Sequence, residues 1–100
     1  MPTDPFFRMT VDDVFSIKGR GTVVTGKIET GTIKVGDEIL IQGKSGEVKT
    51  MVTGIEMFRK TVSQANVGDT VGILFKDIAK QDVQRGDVLS ASSPDFTWNP

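Results

Sequence analysis

A chain of 100 residues favours a single domain, and a composition of 37% hydrophobic and 25% charged residues excludes disorder along its whole length. Cysteine and histidine are both absent, so disulfides, Ser-His-Asp and Cys-His catalysis and the usual zinc sites are excluded within the chain. The formal charge of −1 argues against coating nucleic acid through bulk positive charge, so any RNA contact has to be local and DNA is not an expected partner.

From Phe7 the apolar residues alternate through Phe7, Met9 and Val11, and again at Phe15 and Ile17, the spacing of a strand with one buried face. Asp12-Asp13-Val14 breaks the alternation and predicts a bulge or bend. Lys18-Gly19-Arg20-Gly21 is a turn, Thr22 to Glu29 a second strand, and Thr30-Gly31 turns the chain again. Val35-Gly36-Asp37 leads into a strand from Glu38 to Gln42. Gly43-Lys44-Ser45-Gly46 then predicts a hairpin with the long run from Glu47 to Lys60. In that run Val48, Thr50, Val52, Gly54, Glu56 and Phe58 share one parity, and Gly54 implies a bend or a close backbone approach.

Two further strands are expected, Thr70 to Lys76 and Asp87 to Ala91. The polar segments Lys60 to Asn66 and Asp77 to Gln84 read as loops or single helical turns, being too short for stable helices. Val-Gly-Asp at 35–37 and 67–69 and Arg-Gly-Asp at 85–87 read as one turn chemistry used three times. Residues 1–91 form the expected domain, and 92–100, with Phe96 and Trp98, a tail or the start of a linker. Six short strands with glycine turns and almost no helix predict an all-β fold, a six-stranded antiparallel Greek-key-type barrel that closes to remove its edges. No apolar run is long enough to span a bilayer, and Met1-Pro-Thr-Asp lacks the regions of a signal peptide. A cytoplasmic location without a membrane partner is expected.

Gly21-Thr-Val-Val-Thr-Gly26-Lys27 matches the first seven places of a phosphate-binding loop. Ile28 stands where the Mg2+-ligating hydroxyl belongs, and Val23, Val24 and Thr25 are stiff, β-branched residues suited to extended chain. The stretch therefore reads as a glycine-bounded strand, with Lys27 facing solvent.

In order along the chain stand Asp13-Val14-Phe15-Ser16-Ile17, Gly19-Arg20-Gly21-Thr22-Val23-Val24-Thr25-Gly26, Glu29-Thr30-Gly31, Lys34-Val35-Gly36-Asp37-Glu38, Gly54-Ile55-Glu56-Met57-Phe58-Arg59-Lys60, Gly68-Asp69-Thr70-Val71-Gly72 and Arg85-Gly86-Asp87-Val88-Leu89. Together, from about Pro5 to Ala91, they resemble the second domain of elongation factor Tu and its translational GTPase relatives. The resemblance implies a non-catalytic barrel that contacts the aminoacylated 3′ end of transfer RNA. GTP and Mg2+ would belong to a separate GTPase domain, and that domain and the ribosome are the other implied partners. By the same resemblance Glu56 accepts a hydrogen bond from the terminal ribose, Val23 and Leu74 wall the terminal adenine, and Arg59 lies near the terminal nucleotide. Asp13, Phe15, Thr25 and the backbone at Thr70 border the aminoacyl group, with Thr70 standing where the family carries asparagine.

Without the resemblance, Val23, Leu74 and Phe15 read as core residues, Asp13 as part of a bend and Arg59-Lys60 as a solvated strand end. Glu56 fits least well as filler, since it interrupts an apolar strand. The alternatives are a barrel that docks on a GTPase domain or the ribosome without touching tRNA and, since related barrels occur in flavin reductases, a cofactor-bound activity.

Overall fold

The computed structural model describes residues 6–44 and 46–91. Alternating apolar residues and glycine turns give ten strands, β1 (Arg8–Thr10), β2 (Asp13–Ile17), β3 (Gly21–Thr30), β4 (Thr32–Lys34), β5 (Glu38–Gly43), β6 (Gly46–Met57), β7 (Lys60–Val62), β8 (Gln64–Asn66), β9 (Thr70–Phe75) and β10 (Val88–Ala91). Among the described residues no helix is long and apolar enough to cross a membrane.

Six strands close into a barrel in the order β1, β10, β5, β6, β9, β3 and back to β1, every neighbouring pair antiparallel. Only β5 and β6 are joined by a local hairpin; β10 returns from the far end of the chain to lie between β1 and β5, a Greek-key arrangement. Closure leaves no free edge within these six. β2 continues the line of β1 beyond a break at Val11 and Asp12 and pairs with β3 from Asp13↔Thr25 to Ile17↔Gly21. The stretch resembling a phosphate loop lies within β3, and Lys27 is exposed, as the strand reading requires.

Inward-facing side chains fill the barrel: Met9, Val24, Ile28, Ile39, Ile41, Val52, Ile55, Val71, Ile73, Phe75 and Leu89 are each at most 2% exposed. Among the described residues the Thr50 hydroxyl on β6 is buried without a hydrogen-bond partner. The sequence repeat proves to be a repeated turn. In Lys34 to Asp37, Asn66 to Asp69 and Gln84 to Asp87 the aspartate Oδ2 accepts the backbone N–H three residues earlier, at 2.9 Å each time. Its own N–H donates back to that residue's carbonyl at 3.0 Å. Each turn is thereby locked from both sides.

Several expectations need correction. Residues 60–66 are not a loop or helical turn but the short strands β7 and β8, which pair with β6 and β4. Thr61 and Val62 are β-branched, and Ala65 is buried between exposed Gln64 and Asn66, a two-residue alternation too brief to stand out. The run expected to reach Lys60 ends at Met57, and Phe58 and Arg59 form the reversal into β7. The segment 77–84 does hold a single helical turn, Lys80–Asp82. Phe15 and Ile17 do not continue the buried face of Phe7, Met9 and Val11; they are 50% and 36% exposed, because the break at Asp12 re-aims the strand. The tail expected at 92–100 lies outside the described residues.

Candidate nucleotide-end cleft

β3, β9 and β6 lie side by side, and their register sets two rows of outward side chains. Val23 stands opposite Leu74, which stands opposite Gly54; one step along, Thr25 stands opposite Gly72, which stands opposite Glu56. β2 extends both rows, placing Phe15 beside Val23 and Asp13 beside Thr25. Residues paired across antiparallel strands point to the same face, as do residues two apart along one strand. The topology therefore gathers Asp13, Phe15, Val23, Thr25, Glu56 and Leu74 onto one outer face, although their numbers span the chain.

Glu56 reaches this face through an irregularity in β6. Val52 pairs with Phe75 and Gly54 with the next residue back, Leu74, so Thr53 is an extra residue. This bulge changes the parity: Val52 and Ile55, three apart, are both buried, and Gly54 and Glu56 face outward. The expected grouping of Val52 with Gly54 and Glu56 on one face is thus wrong, while the bend expected at Gly54 is present. Thr53 Oγ1 donates to the Leu74 carbonyl at 3.0 Å, which ties the bulged residue to β9.

Between these strands lies a cleft of about 110 Å3. Half-buried Val23 and Leu74 form its apolar walls, and Gly54 and Gly72 leave its floor low. A Cβ on Gly72 would stand 3.2 Å from Val23 Cγ1 and would fill that space. On the β6 and β7 side the lining includes Glu56 and its cross-strand partner Thr61; on the side of β2 and its turn into β3 it includes Ile17 and Arg20. Glu56 and Arg20 are exposed, and neither side chain makes a hydrogen bond or ion pair among the described residues. Its volume is well below the roughly 300–1,000 Å3 of small-molecule sites, room for about one ring laid against the apolar surface of Val23 and Leu74. A carboxylate acceptor and a guanidinium donor are left over for polar groups attached to that ring.

The structure brings together three of the expected site residues, Glu56, Val23 and Leu74. Thr25 and Phe15 share the face without lining the cleft, and Thr70 lies one row further, opposite Lys27. Phe15, Val23 and Leu74 are not core residues: the first is half exposed and the others half-buried. Asp13 is engaged elsewhere, its Oδ1 accepting from Arg85 Nη2 at 3.2 Å while Arg85 Nε donates to the Asp12 carbonyl at 3.0 Å. Arg59 sits at the tip of the β6–β7 hairpin, outside the lining. Sequence reasoning missed Arg20, Ile17, Thr53 and Thr61 as lining residues. Arg20, a cation flanked by two glycines, carried a signal, but it was absorbed into the reading of a turn.

Among the described residues no group of three or more acidic side chains is placed to hold a metal ion. A family model described as elongation factor Tu domain 2 matches residues 21–90, from the start of β3 into β10.

Proposed function

Because the chain belongs to the elongation factor Tu domain 2 family, a family of translation-factor modules, we propose that its cleft receives the terminal nucleoside of an aminoacylated transfer RNA. The observation that carries this reading is Glu56, an exposed carboxylate with no partner among the described residues, beside a ring-sized slot with a glycine floor. A carboxylate repels phosphate but is a strong acceptor for a ribose hydroxyl, so it favours the sugar of a chain end over its backbone. Val23 and Leu74, side by side on β3 and β9, offer an apolar surface to the base. Thr25, Phe15 and the backbone at Thr70 lie along the same face and border the aminoacyl group. Asp13 stays with Arg85 and helps hold β2 in place. The barrel does no chemistry in this reading; any GTP hydrolysis belongs to a separate GTPase domain.

So small a site binds weakly by itself, and further domains would add affinity by holding the RNA at high effective concentration. NMR titration of the chain with an aminoacylated acceptor-stem mimic tests the proposal. Shifts confined to Val23, Glu56, Gly72 and Leu74 at millimolar ligand are expected, and their absence would remove direct tRNA recognition. In a second reading, favoured by the exposed Phe15 and Ile17 on β2, this face docks on a GTPase domain or the ribosome. Glu56→Ala would then leave partner capture intact, whereas Phe15→Ser would abolish it.

A further inference from the structure

The β6–β7 hairpin reverses through Phe58 and Arg59, whose φ values are 54° and 65°; among the described residues they are the non-glycine residues in the left-handed region. Reversals of this kind are normally built from pairs such as Asn-Gly, because a side chain at positive φ crowds its own backbone. A phenylalanine is a poor choice there, and no packing offsets it: the ring is 86% exposed and stands outside the buried core. Strained backbone retained without a packing reason points to a functional position.

The surroundings indicate which function. Arg59 and Lys60 follow the ring directly, and neither makes an ion pair among the described residues. Glu56, two residues before Phe58, lines the cleft together with Thr61 across the hairpin, and two residues of chain reach at most about 7 Å. An exposed aromatic face beside unpaired cations, one short step from a slot for a single ring, is an arrangement suited to consecutive unstacked bases.

We propose that Phe58 is a stacking platform for the base adjoining the terminal nucleotide, so that the site takes an RNA end of at least two nucleotides. This rests on the reading of the cleft given above. The platform adds a contact outside the cleft, tolerant of base identity because every base has a stacking face.

The test is NMR titration of the full chain with adenosine 5′-monophosphate and with the ribodinucleotide ApA. Wild type should bind ApA about tenfold more tightly than the mononucleotide, with shifts in the Phe58 ring protons. Phe58→Leu should bring ApA affinity down to that of the mononucleotide, and Phe58→Trp should keep the gain. Phe58→Asn, suited to positive φ, should lose the gain yet raise the midpoint of thermal unfolding, a combination that a merely structural aromatic would not give. Equal ApA affinity in wild type and Phe58→Leu overturns the platform, while mononucleotide shifts at Val23, Glu56 and Leu74 would leave the cleft reading standing. Conversely, ApA shifts at Phe58 without any in the cleft overturn both the cleft reading and the two-nucleotide site, since the platform is defined by a terminal nucleotide held beside it. No shift at either place removes both.

Discussion

Thr50 and Gly72 show how single side chains are set by two different demands. The Thr50 hydroxyl is buried on β6 without a partner among the described residues, which penalises the fold and, since it faces the core, serves no exposed site. Thr50→Val should raise stability by about 1 kcal/mol, read as a higher denaturant midpoint at unchanged slope; a lower midpoint would mean that the hydroxyl has a partner in solution. Gly72 serves the cleft, since a Cβ there would meet Val23 Cγ1 at 3.2 Å. Gly72→Val, a strand-favouring substitution, should keep the far-UV spectrum of the barrel while abolishing ligand shifts at Leu74 and Glu56. Retained shifts would place the ligand elsewhere. Val23 and Glu56 were legible in the sequence because they sit inside ordered motifs that carry the family resemblance, and Leu74 because it lies two residues past one of them. Arg20 carried a local signal that a turn explains equally well, and Thr61 carried none, because its place at the cleft depends on the pairing of β7 with β6.

Among the elements, the three Gly-Asp turns carry a repeated sequence signal into a repeated geometry, one that Ala79 to Asp82 shares without the glycine. Asp37 and Asp69 each accept one backbone N–H at 2.9 Å and share no partner. Asp37→Ala and Asp69→Ala should therefore each cost about 1 kcal/mol, and the double variant should match their sum within about 0.5 kcal/mol. Chemical denaturation of the three variants checks this, and a sum exceeded by more than that margin would show the turns to be coupled through the β4–β8 ribbon. The long strands could be read from alternation alone, yet β4, β7 and β8 escaped it, because three residues hold a single period of two. The bulge at Thr53 was hidden for another reason: between Val52 and Glu56 the alternation breaks, but only pairing with β9 shows that Thr53 is the extra residue. That hidden residue decides which way Glu56 faces.

Over the whole molecule, closure and charge are the governing features. Closure brings β1 across β3, where Thr10 passes so close that a Cβ on Gly26 would collide with its carbonyl oxygen and stand 3.1 Å from the Met9 side chain. Gly26→Ala should cost about 2 kcal/mol and lower the thermal midpoint by roughly 10 °C; an unchanged midpoint would show that the seam between β1 and β3 is loose. The strand order that makes this seam was legible only through the family resemblance, since alternation predicts strands and not their neighbours. With a formal charge of −1, the proposed RNA contact would draw its attraction from Arg20, Arg59 and Lys60 around the cleft. The logarithm of affinity should then fall against the logarithm of salt with a slope no steeper than about −2; a much steeper slope would reveal a larger basic surface. The proposed contact between Glu56 and the terminal ribose can be isolated by a double-mutant cycle. Its two changes are Glu56→Ala and loss of the terminal 2′-hydroxyl from an aminoacylated acceptor-stem mimic, with Kd measured at one salt concentration. A coupling of about 1.5–3 kcal/mol is predicted for a hydrogen bond to a charged group, and additive losses with no coupling would contradict it.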